Sequence, residues 1–158
     1  MTPKEFISKF GEAIIFATQG TPLFPSVKAA QAALETGWGK HTIGDAKNLF
    51  GIKATGNKTP YWDGSVYNAS TKEVYNGNTV TITGGFRAYQ SYSDSIRDHS
   101  HLLMTLSRYK PVLAATTPEE QARVIQVAGY ATDPDYAKKL IDIINQNDLK
   151  QLDKKKTS

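Results

Sequence analysis

One glutamate stands out because it lies where a helix least favours an acid. Glu35 is the only acidic residue of a predicted helix that begins at Pro25 and is stopped by Gly37. It therefore lies at the C-terminal end, where the helix macrodipole disfavours a carboxylate. Small residues one turn earlier leave room for a ligand, and Trp38 supplies an apolar wall. A partly desolvated carboxyl group there would hold its proton as a general acid requires; the alternative is an exposed Glu35 paired with Lys40.

Other kinds of chemistry lack the residues they need. The chain has no cysteine, which excludes a thiol nucleophile, a disulfide framework and a cysteine-ligated metal. His99 and His101 are two residues apart on a predicted helix, and so lie on different faces, which is poor geometry for a shared metal ion. We expect both to be structural or solvated. The stretch 51–59 has one residue too many between Gly56 and Lys58 for a phosphate-binding loop.

Length and charge describe an ordinary single domain. The chain has 158 residues, and its 19 Lys and Arg against 15 Asp and Glu give a net charge of +4. A modest positive charge suggests an anionic partner surface, but the basic residues are too dispersed for a nucleic-acid binder. No apolar run approaches the ~18 residues of a membrane span, so we expect no membrane insertion.

Capping residues and hydrophobic periodicity predict the helices and strands that must position Glu35. Between about residues 53 and 89 the pattern changes to a β insertion, because Val80 and Ile82 alternate with threonines after a strong Asn76-Gly77 turn signal. The prediction is an α+β chain with two helices, a small β hairpin and three further helices. These helices start at five sites with cap or proline signals: Thr2-Pro3, Pro25, after Ser93, Thr117-Pro118 and Asp133-Pro134.

The chain is predicted to end in a short basic tail. Residues 1–148 form the predicted domain, in which Ile96, Leu103 and Leu106 are the expected buried stripe of the third helix. Residues 149–158 contain three consecutive lysines and little to bury, so we expect them to fray.

Four segments, in this order along the chain, closely resemble the N-acetylglucosaminidases of glycoside hydrolase family 73, including the peptidoglycan-hydrolase domain of flagellar muramidases. They cover nearly the whole chain through about Ile144. A single short motif would carry little weight, whereas four in order are highly specific. The segments are AQAALETGWGK (30–40), NLFGIKA (48–54), FRAYQSYSDSIRDH (86–99) and AGYATDPDYAKKL (128–140).

The resemblance implies a fold and an activity. The expected fold is lysozyme-like α+β, with a mainly helical lobe, a small β-hairpin lobe and a cleft between them. The expected reaction is endo cleavage of the β-1,4 bond between N-acetylglucosamine and N-acetylmuramic acid in peptidoglycan, with neither metal nor organic cofactor. A muramidase or lytic transglycosylase using the same acid, and a catalytically inactive glycan-binding module, remain the alternatives.

The resemblance also assigns catalytic roles. Glu35 becomes the general acid, Glu73 matches a second acidic residue in the β lobe, and Tyr130 matches a cleft tyrosine. Asp63 is the alternative second acid, although it reads as a turn residue, and Tyr130 could instead be a core aromatic. Tyr136 is expected to pack in the core. The reaction is completed either by water that Glu73 activates, with inversion, or by the substrate's own acetamido oxygen.

Five further residues are candidates for binding sugar, because aromatic rings cover the apolar faces of sugars while polar groups orient the hydroxyls. Each also has a purely structural interpretation, as hairpin packing for the aromatic residues of the β insertion or as a hydrogen bond to the loop backbone for the asparagine. The candidates are Trp38, Asn48, Tyr61, Trp62 and Tyr67.

The resemblance places the protein's action at the bacterial cell wall, outside the cytoplasm. The first residues lack the basic and apolar regions of a signal peptide. We therefore expect phage delivery, injection, or trimming from a longer protein. We expect a monomer whose partner is the glycan strand.

Overall fold

The computed structural model describes residues 1–156, apart from the side chains of Thr71, Glu73, Tyr75 and Ile82. Within that range no helix is both long and apolar enough to cross a bilayer. A 3₁₀ helix (Ser107–Ala114) follows the third α-helix. The other elements are α1 (Pro3–Thr18), α2 (Pro25–Thr36), β1 (Val66–Tyr75), β2 (Asn78–Arg87), α3 (Tyr92–Thr105), α4 (Pro118–Val127), α5 (Tyr136–Gln146) and α6 (Lys150–Lys155).

The helix ends follow the local signals in the sequence. Thr2 and Glu5 form a reciprocal capping box at the start of α1. Gly37 ends α2 in the left-handed conformation, with a φ of 56°, and its N–H bonds to the carbonyl of Ala33. The third helix starts earlier than predicted, because Ser91 rather than Ser93 caps it by accepting the N–H of Asp94.

The third helix also ends earlier than its predicted stripe. Ile96 and Leu103 are buried as expected, but Leu106 is 42% exposed. The chain leaves helical geometry at Leu106, which has a ψ of 127°, before entering the 3₁₀ helix. The predicted burial of Leu106 was therefore wrong, since its side chain no longer follows the helical face.

Helix α2 lies at the centre of the helical lobe and contacts α1, α4, α5 and α6. Its alanines are almost entirely buried, and their small side chains allow neighbouring helices to approach closely. Phe6, Phe10 and Ile14 of α1 pack against it in the same core as Leu140 and Ile144 of α5. A central, tightly packed α2 holds its C-terminal residue pair, Glu35 and Thr36, in a fixed place.

The β lobe is one long antiparallel hairpin. Its ten-residue strands pair from Val66 with Arg87 to Tyr75 with Asn78. Asn76 and Gly77 form the predicted turn, and their φ values of 50° and 80° are those of a type I′ turn. The order of helices, hairpin and helices therefore confirms the predicted mixed architecture.

Asp98 of α3 anchors the base of the hairpin to the helical lobe. Its buried carboxylate forms an ion pair of 2.9 Å with Arg87, which lies at the end of β2. It also accepts hydrogen bonds from the hydroxyls of Thr59, at 2.6 Å, and Tyr89, at 2.5 Å. The Arg87 guanidinium lies 4.1 Å from the centre of the Trp62 ring. These contacts, called here the Asp98 network, fix the loop before the hairpin as well as its base.

The last described residues are packed, in contrast to the frayed tail that we expected. Leu149 and Leu152 are buried in the main core. The Asp153 carboxylate accepts hydrogen bonds from the backbone N–H and the hydroxyl of Ser26, at 2.8 and 2.6 Å. Lys156 donates to backbone carbonyls in the loop between α1 and α2. The domain therefore continues past the predicted boundary at residue 148, while residues 157 and 158 lie outside the described part.

Candidate active site

A cleft of about 620 Å³ opens between the helical lobe and the base of the hairpin. Its walls come from the end of α2, the segment 50–59, α3 with the start of the 3₁₀ helix, and the connection between α4 and α5. Four elements distant in sequence thus converge on one groove. Such a concave surface, with a few polar groups aimed into it, is the usual form of a ligand site.

Glu35 lines this cleft and rests against Gly51. Gly51 has a φ of +65°, and a Cβ added there would lie 2.7 Å from the Glu35 carboxyl carbon. Only glycine therefore fits both the backbone conformation and the space. Glu35 is exposed to solvent in the open cleft. The partial desolvation expected from the sequence therefore stays a prediction for the state in which a ligand fills the groove.

Two tyrosines line the cleft near Glu35. The rings of Tyr130 and Tyr136 stack with centroids 5.6 Å apart, and the Tyr136 hydroxyl accepts a hydrogen bond from Gln31. Burial raises the pKa of both phenols above the ordinary value, and the nearby Glu35 carboxylate adds to that rise. Both rings are therefore neutral phenols at physiological pH. Tyr136 packs as predicted, but it also forms part of the cleft wall.

A buried chain of polar groups leads from the core to Tyr130. The side-chain nitrogen of Lys28 lies 2.5 Å from His99 Nδ1, and His99 Nε2 lies 2.9 Å from the Tyr130 hydroxyl. The Phe50 ring stacks on the His99 ring at 3.8 Å. Burial lowers the pKa of both Lys28 and His99 well below their ordinary values. We call Lys28, His99 and Tyr130 the Lys28 chain.

The second acid proposed from the resemblance lies far along the hairpin. Glu73 pairs with Val80 in the register, three residues before the turn at Asn76. Its side chain lies outside the described part of the structure, so its role stays a prediction. Asp63, the alternative, accepts the backbone N–H of Ser65 at 2.9 Å, which is the turn role suggested by its sequence context.

Tyr61 and Trp62 differ in exposure but border the same small concavity, which has a volume of about 210 Å³. Trp62 is only 5% exposed, donates its indole N–H to the carbonyl of Ser65, and is covered by Arg87. These contacts support the structural interpretation of Trp62, and its role in binding sugar stays a prediction. Tyr61 is half-buried and lies edge-on to His101, and sugar binding by Tyr61 stays a prediction.

Tyr67 lies outside the lining of the cleft. It is 37% exposed, and its ring covers Gly44, where a side chain would find no room. Tyr67 thus packs the hairpin against the loop that follows α2. Its role in binding sugar stays a prediction without support from this geometry.

Trp38 and Asn48 also have structural contacts. Trp38 packs edge-on against Phe6 at 5.5 Å and is not among the residues that line the cleft, so its role in binding sugar stays a prediction. Asn48 is buried, donates to the carbonyls of Ile52 and Arg87, and accepts the N–H of Ile52. It therefore holds the loop backbone that carries Gly51, which is the alternative that its sequence left open.

Sequence reasoning missed Lys28 and the role of His99. Lys28 lies seven residues before Glu35, two helical turns away and so on the same face of α2. The sequence signal that could have identified Lys28 was a lysine among small residues on the predicted buried face of the helix. His99 was expected to be structural or solvated, and it is indeed buried, but its partners are 71 and 31 residues away in sequence. Among the described residues, no group of three or more His, Asp or Glu is arranged to hold a metal ion.

Comparison with known proteins agrees with this architecture. The sequence matches the family described as mannosyl-glycoprotein endo-beta-N-acetylglucosaminidase over residues 11–149. Peptidoglycan hydrolase FlgJ of Escherichia coli O157:H7 is 39% identical over 148 residues, covering 90% of this chain and 46% of that protein. Exo-glucosaminidase LytG of Bacillus subtilis is 39% identical over 137 residues, covering 83% of this chain and 46% of that protein. The chain thus spans about half the length of these relatives.

A solved structure shows the same fold. The crystal structure of a peptidoglycan hydrolase mutant from Sphingomonas sp. A1 superimposes with a TM-score of 0.80 and 38% identity, covering 94% of this chain and 96% of that one. This likeness confirms the predicted lysozyme-like α+β fold. The sequence match over residues 11–149 and the structural match over nearly the whole domain lead to one assignment. The chain belongs to the glucosaminidase family, glycoside hydrolase family 73.

Proposed function

We propose that this domain is a glycoside hydrolase that cleaves the β-1,4 bond after N-acetylglucosamine in the glycan strands of peptidoglycan. One observation carries the proposal: the Glu35 carboxyl group is held against Gly51 in an open cleft that is also lined by Tyr130 and Tyr136. The related hydrolases named above support the choice of substrate. The positive net charge would draw the domain to anionic cell walls, where we propose that it acts.

Glu35 would begin the reaction as general acid. It donates its proton to the glycosidic oxygen while the bond from that oxygen to the anomeric carbon breaks. Positive charge then develops on the ring of the N-acetylglucosamine residue. Sugar in the open cleft would displace water around Glu35 and so desolvate its carboxyl group on binding.

The substrate's acetamido oxygen is the favoured nucleophile. It would bond to the anomeric carbon as the leaving oxygen departs, and the positive charge would pass to the acetamido nitrogen. Tyr130, in the cleft near Glu35, would orient that group. Water then opens the ring intermediate and gives its proton to the Glu35 carboxylate, so the product keeps the β configuration.

Inversion through Glu73 is the alternative route. It requires Glu73 to activate a water molecule, with about 6.5–9.5 Å between the two carboxyl groups. The product would then be the α-anomer, and Glu73→Gln would be almost as damaging as Glu35→Gln. Proton NMR of the first-formed product separates the two routes, because only the inverting one yields the α-anomer.

The decisive experiment digests purified peptidoglycan and analyses the borohydride-reduced products by mass spectrometry. We expect reduced N-acetylglucosamine at the new ends, and a loss of activity of about 10²–10⁴-fold in Glu35→Gln. Glu12→Gln, a matched change at an exposed site on α1, should retain full activity. The Glu35→Gln variant should melt no lower than the wild type, because it removes a charge that the helix end disfavours.

The products also distinguish the alternatives. Reduced N-acetylmuramic acid would identify a muramidase, and anhydro ends would identify a lytic transglycosylase. Undigested peptidoglycan would favour the remaining alternative, a catalytically inactive glycan-binding module. Product length separates endo cleavage from the exo cleavage named for LytG.

A further inference from the structure

Lys28 is buried at the centre of the helical lobe, close to the cleft. Its side chain is 2% exposed, and the two partners described for its nitrogen are His99 Nδ1 at 2.5 Å and the Phe50 ring at 5.3 Å. Both are uncharged groups. An ammonium ion that is removed from water without a carboxylate partner is strongly disfavoured. The surroundings therefore favour a neutral amine at Lys28.

His99 connects this amine to the cleft. It is 1% exposed, and the stacked Phe50 ring fixes its plane. A neutral imidazole has one N–H donor and one lone-pair acceptor. The direction of the hydrogen bond at Nδ1 therefore sets the direction at Nε2, which lies 2.9 Å from the Tyr130 hydroxyl.

The relative strengths of donors and acceptors give this chain a direction. An amine is a stronger base than imidazole, so the Lys28 nitrogen is the better acceptor. A phenol is a stronger acid than an amine, so Tyr130 is the better donor at the other end. The favoured order runs from the Tyr130 O–H to His99 Nε2, and from His99 Nδ1–H to Lys28. The lowered pKa of Lys28 and of His99, both caused by burial, agrees with this neutral arrangement.

We propose that Lys28 and His99 are positioning residues that turn the Tyr130 hydroxyl hydrogen away from the cleft, so that its oxygen accepts a hydrogen bond from the substrate. The group accepted would be the acetamido N–H of the reacting N-acetylglucosamine. A hydrogen bond from that N–H strengthens the acetamido oxygen as a nucleophile and stabilises the positive charge that reaches the nitrogen. This inference rests on the proposed function, but its first test does not.

The first test is the tautomer of His99 in the wild-type protein without substrate. Long-range ¹H–¹⁵N NMR reports which ring nitrogen carries hydrogen, and a His99→Gln variant assigns the signals. We expect hydrogen on Nδ1. In Lys28→Met, where Nδ1–H would lose its acceptor, we expect the hydrogen to move to Nε2 and the bond to Tyr130 to reverse. Hydrogen on Nε2 in the wild type would overturn the proposal.

The second test measures coupling between Lys28 and Tyr130 on soluble glycan fragments. Lys28→Met should lower kcat about tenfold, the size of one neutral hydrogen bond, with less than about a twofold change in KM. In a Tyr130→Phe background the same substitution should have no further effect, because the hydroxyl through which it acts is gone. Lys4→Met, an exposed lysine on α1, is the matched control and should be silent in both backgrounds.

An equal loss in both backgrounds would show a merely structural role for Lys28 and overturn the proposal. The proposed function and the positioning role of Lys28 and His99 can be contradicted independently. Peptidoglycan left intact by the wild type contradicts the proposed function, whereas the tautomer of His99 can be measured on a protein of any activity.

Discussion

Asp98 and His99 are consecutive residues of α3, both almost fully buried, yet they organise two opposite kinds of polar network. Asp98 is paired with a cation, Arg87, and accepts two further hydroxyl hydrogen bonds. His99 joins a buried amine to a phenol and is itself uncharged in the favoured arrangement. The Asp98 network fixes the hairpin base, where Thr59 and Arg87 also border the cleft, whereas the Lys28 chain ends on Tyr130, a candidate catalytic residue.

The difference shows how burial is used for two purposes on one helix. A carboxylate with an opposite charge and several donors holds chain segments together, because removing either charged partner leaves the other charge uncompensated in a poorly solvating interior. A chain of neutral donors and acceptors anchors less strongly, but it transmits direction from one end to the other. The first network should therefore govern stability, and the second should govern reaction rate.

The largest expected effect comes from breaking the Asp98 network. Asp98→Asn leaves Arg87 buried without its charge partner, which should lower the free energy of unfolding by about 3–5 kcal/mol. Asp142→Asn removes an ion pair with Lys138 whose side chains are 46% and 74% exposed, and should cost about 0–1 kcal/mol. Urea unfolding measures both. Similar small losses for the two variants would contradict the anchoring role of Asp98.

A second substitution tests the contact between Gly51 and Glu35 in the cleft. Gly51 follows the Phe50 that stacks on His99, and Gly51→Ala would push against the Glu35 carboxyl group. We expect about a 10²-fold loss of activity, typical of a misplaced catalytic group. Gly20→Ala is the matched control, since Gly20 has a φ of +70° but open space around it.

Both glycine variants should share a backbone strain of about 1–2 kcal/mol. Unfolding measurements would test that equality, and glycan cleavage would then separate the variants. Equal activity losses would show that strain, rather than contact with Glu35, caused the defect.

The pH dependence of stability tests the neutral amine. Because the folded-state pKa of Lys28 is depressed, the unfolded chain binds more protons, and stability rises as pH rises from the folded pKa towards the unfolded value of about 10.4. Lys28→Met should remove this rise, whose slope is at most about 1.4 kcal/mol per pH unit. Urea unfolding across this range, compared between variant and wild type, measures it. Parallel curves would indicate that Lys28 remains charged when buried.

The smallest expected effect concerns the packed C-terminal residues. Asp153 accepts hydrogen bonds at the N-terminus of α2, a helix without a side-chain cap of its own. Asp153→Ala should cost about 1 kcal/mol, as for the loss of a helix cap. Asp135→Ala, at a cap position without a side-chain hydrogen bond, should cost less. A thermal melt in which neither changes would indicate that the contact between α6 and α2 contributes little.

Features that depend on neighbouring residues were predictable from the sequence. Caps such as Thr2 with Glu5, the stop at Gly37 and the turn at Asn76-Gly77 act within a few residues, so their signals are local. The position of Glu35 at the end of an apolar helix was visible for the same reason. The choice between a desolvated and an exposed Glu35 was left open, because the width of the cleft depends on elements that are distant in sequence.

By itself the sequence determined helices α1 to α5, the hairpin, the resemblance to family 73 and the candidate acid. Only the tertiary structure decided which side chains meet across the chain. In the folded protein Arg87 covers the Trp62 ring, Asp153 accepts a hydrogen bond from Ser26, and Lys28 contacts His99. The reason is physical: periodicity and caps report the conformation of neighbouring residues, whereas these contacts form only when packing has brought separate helices and loops together.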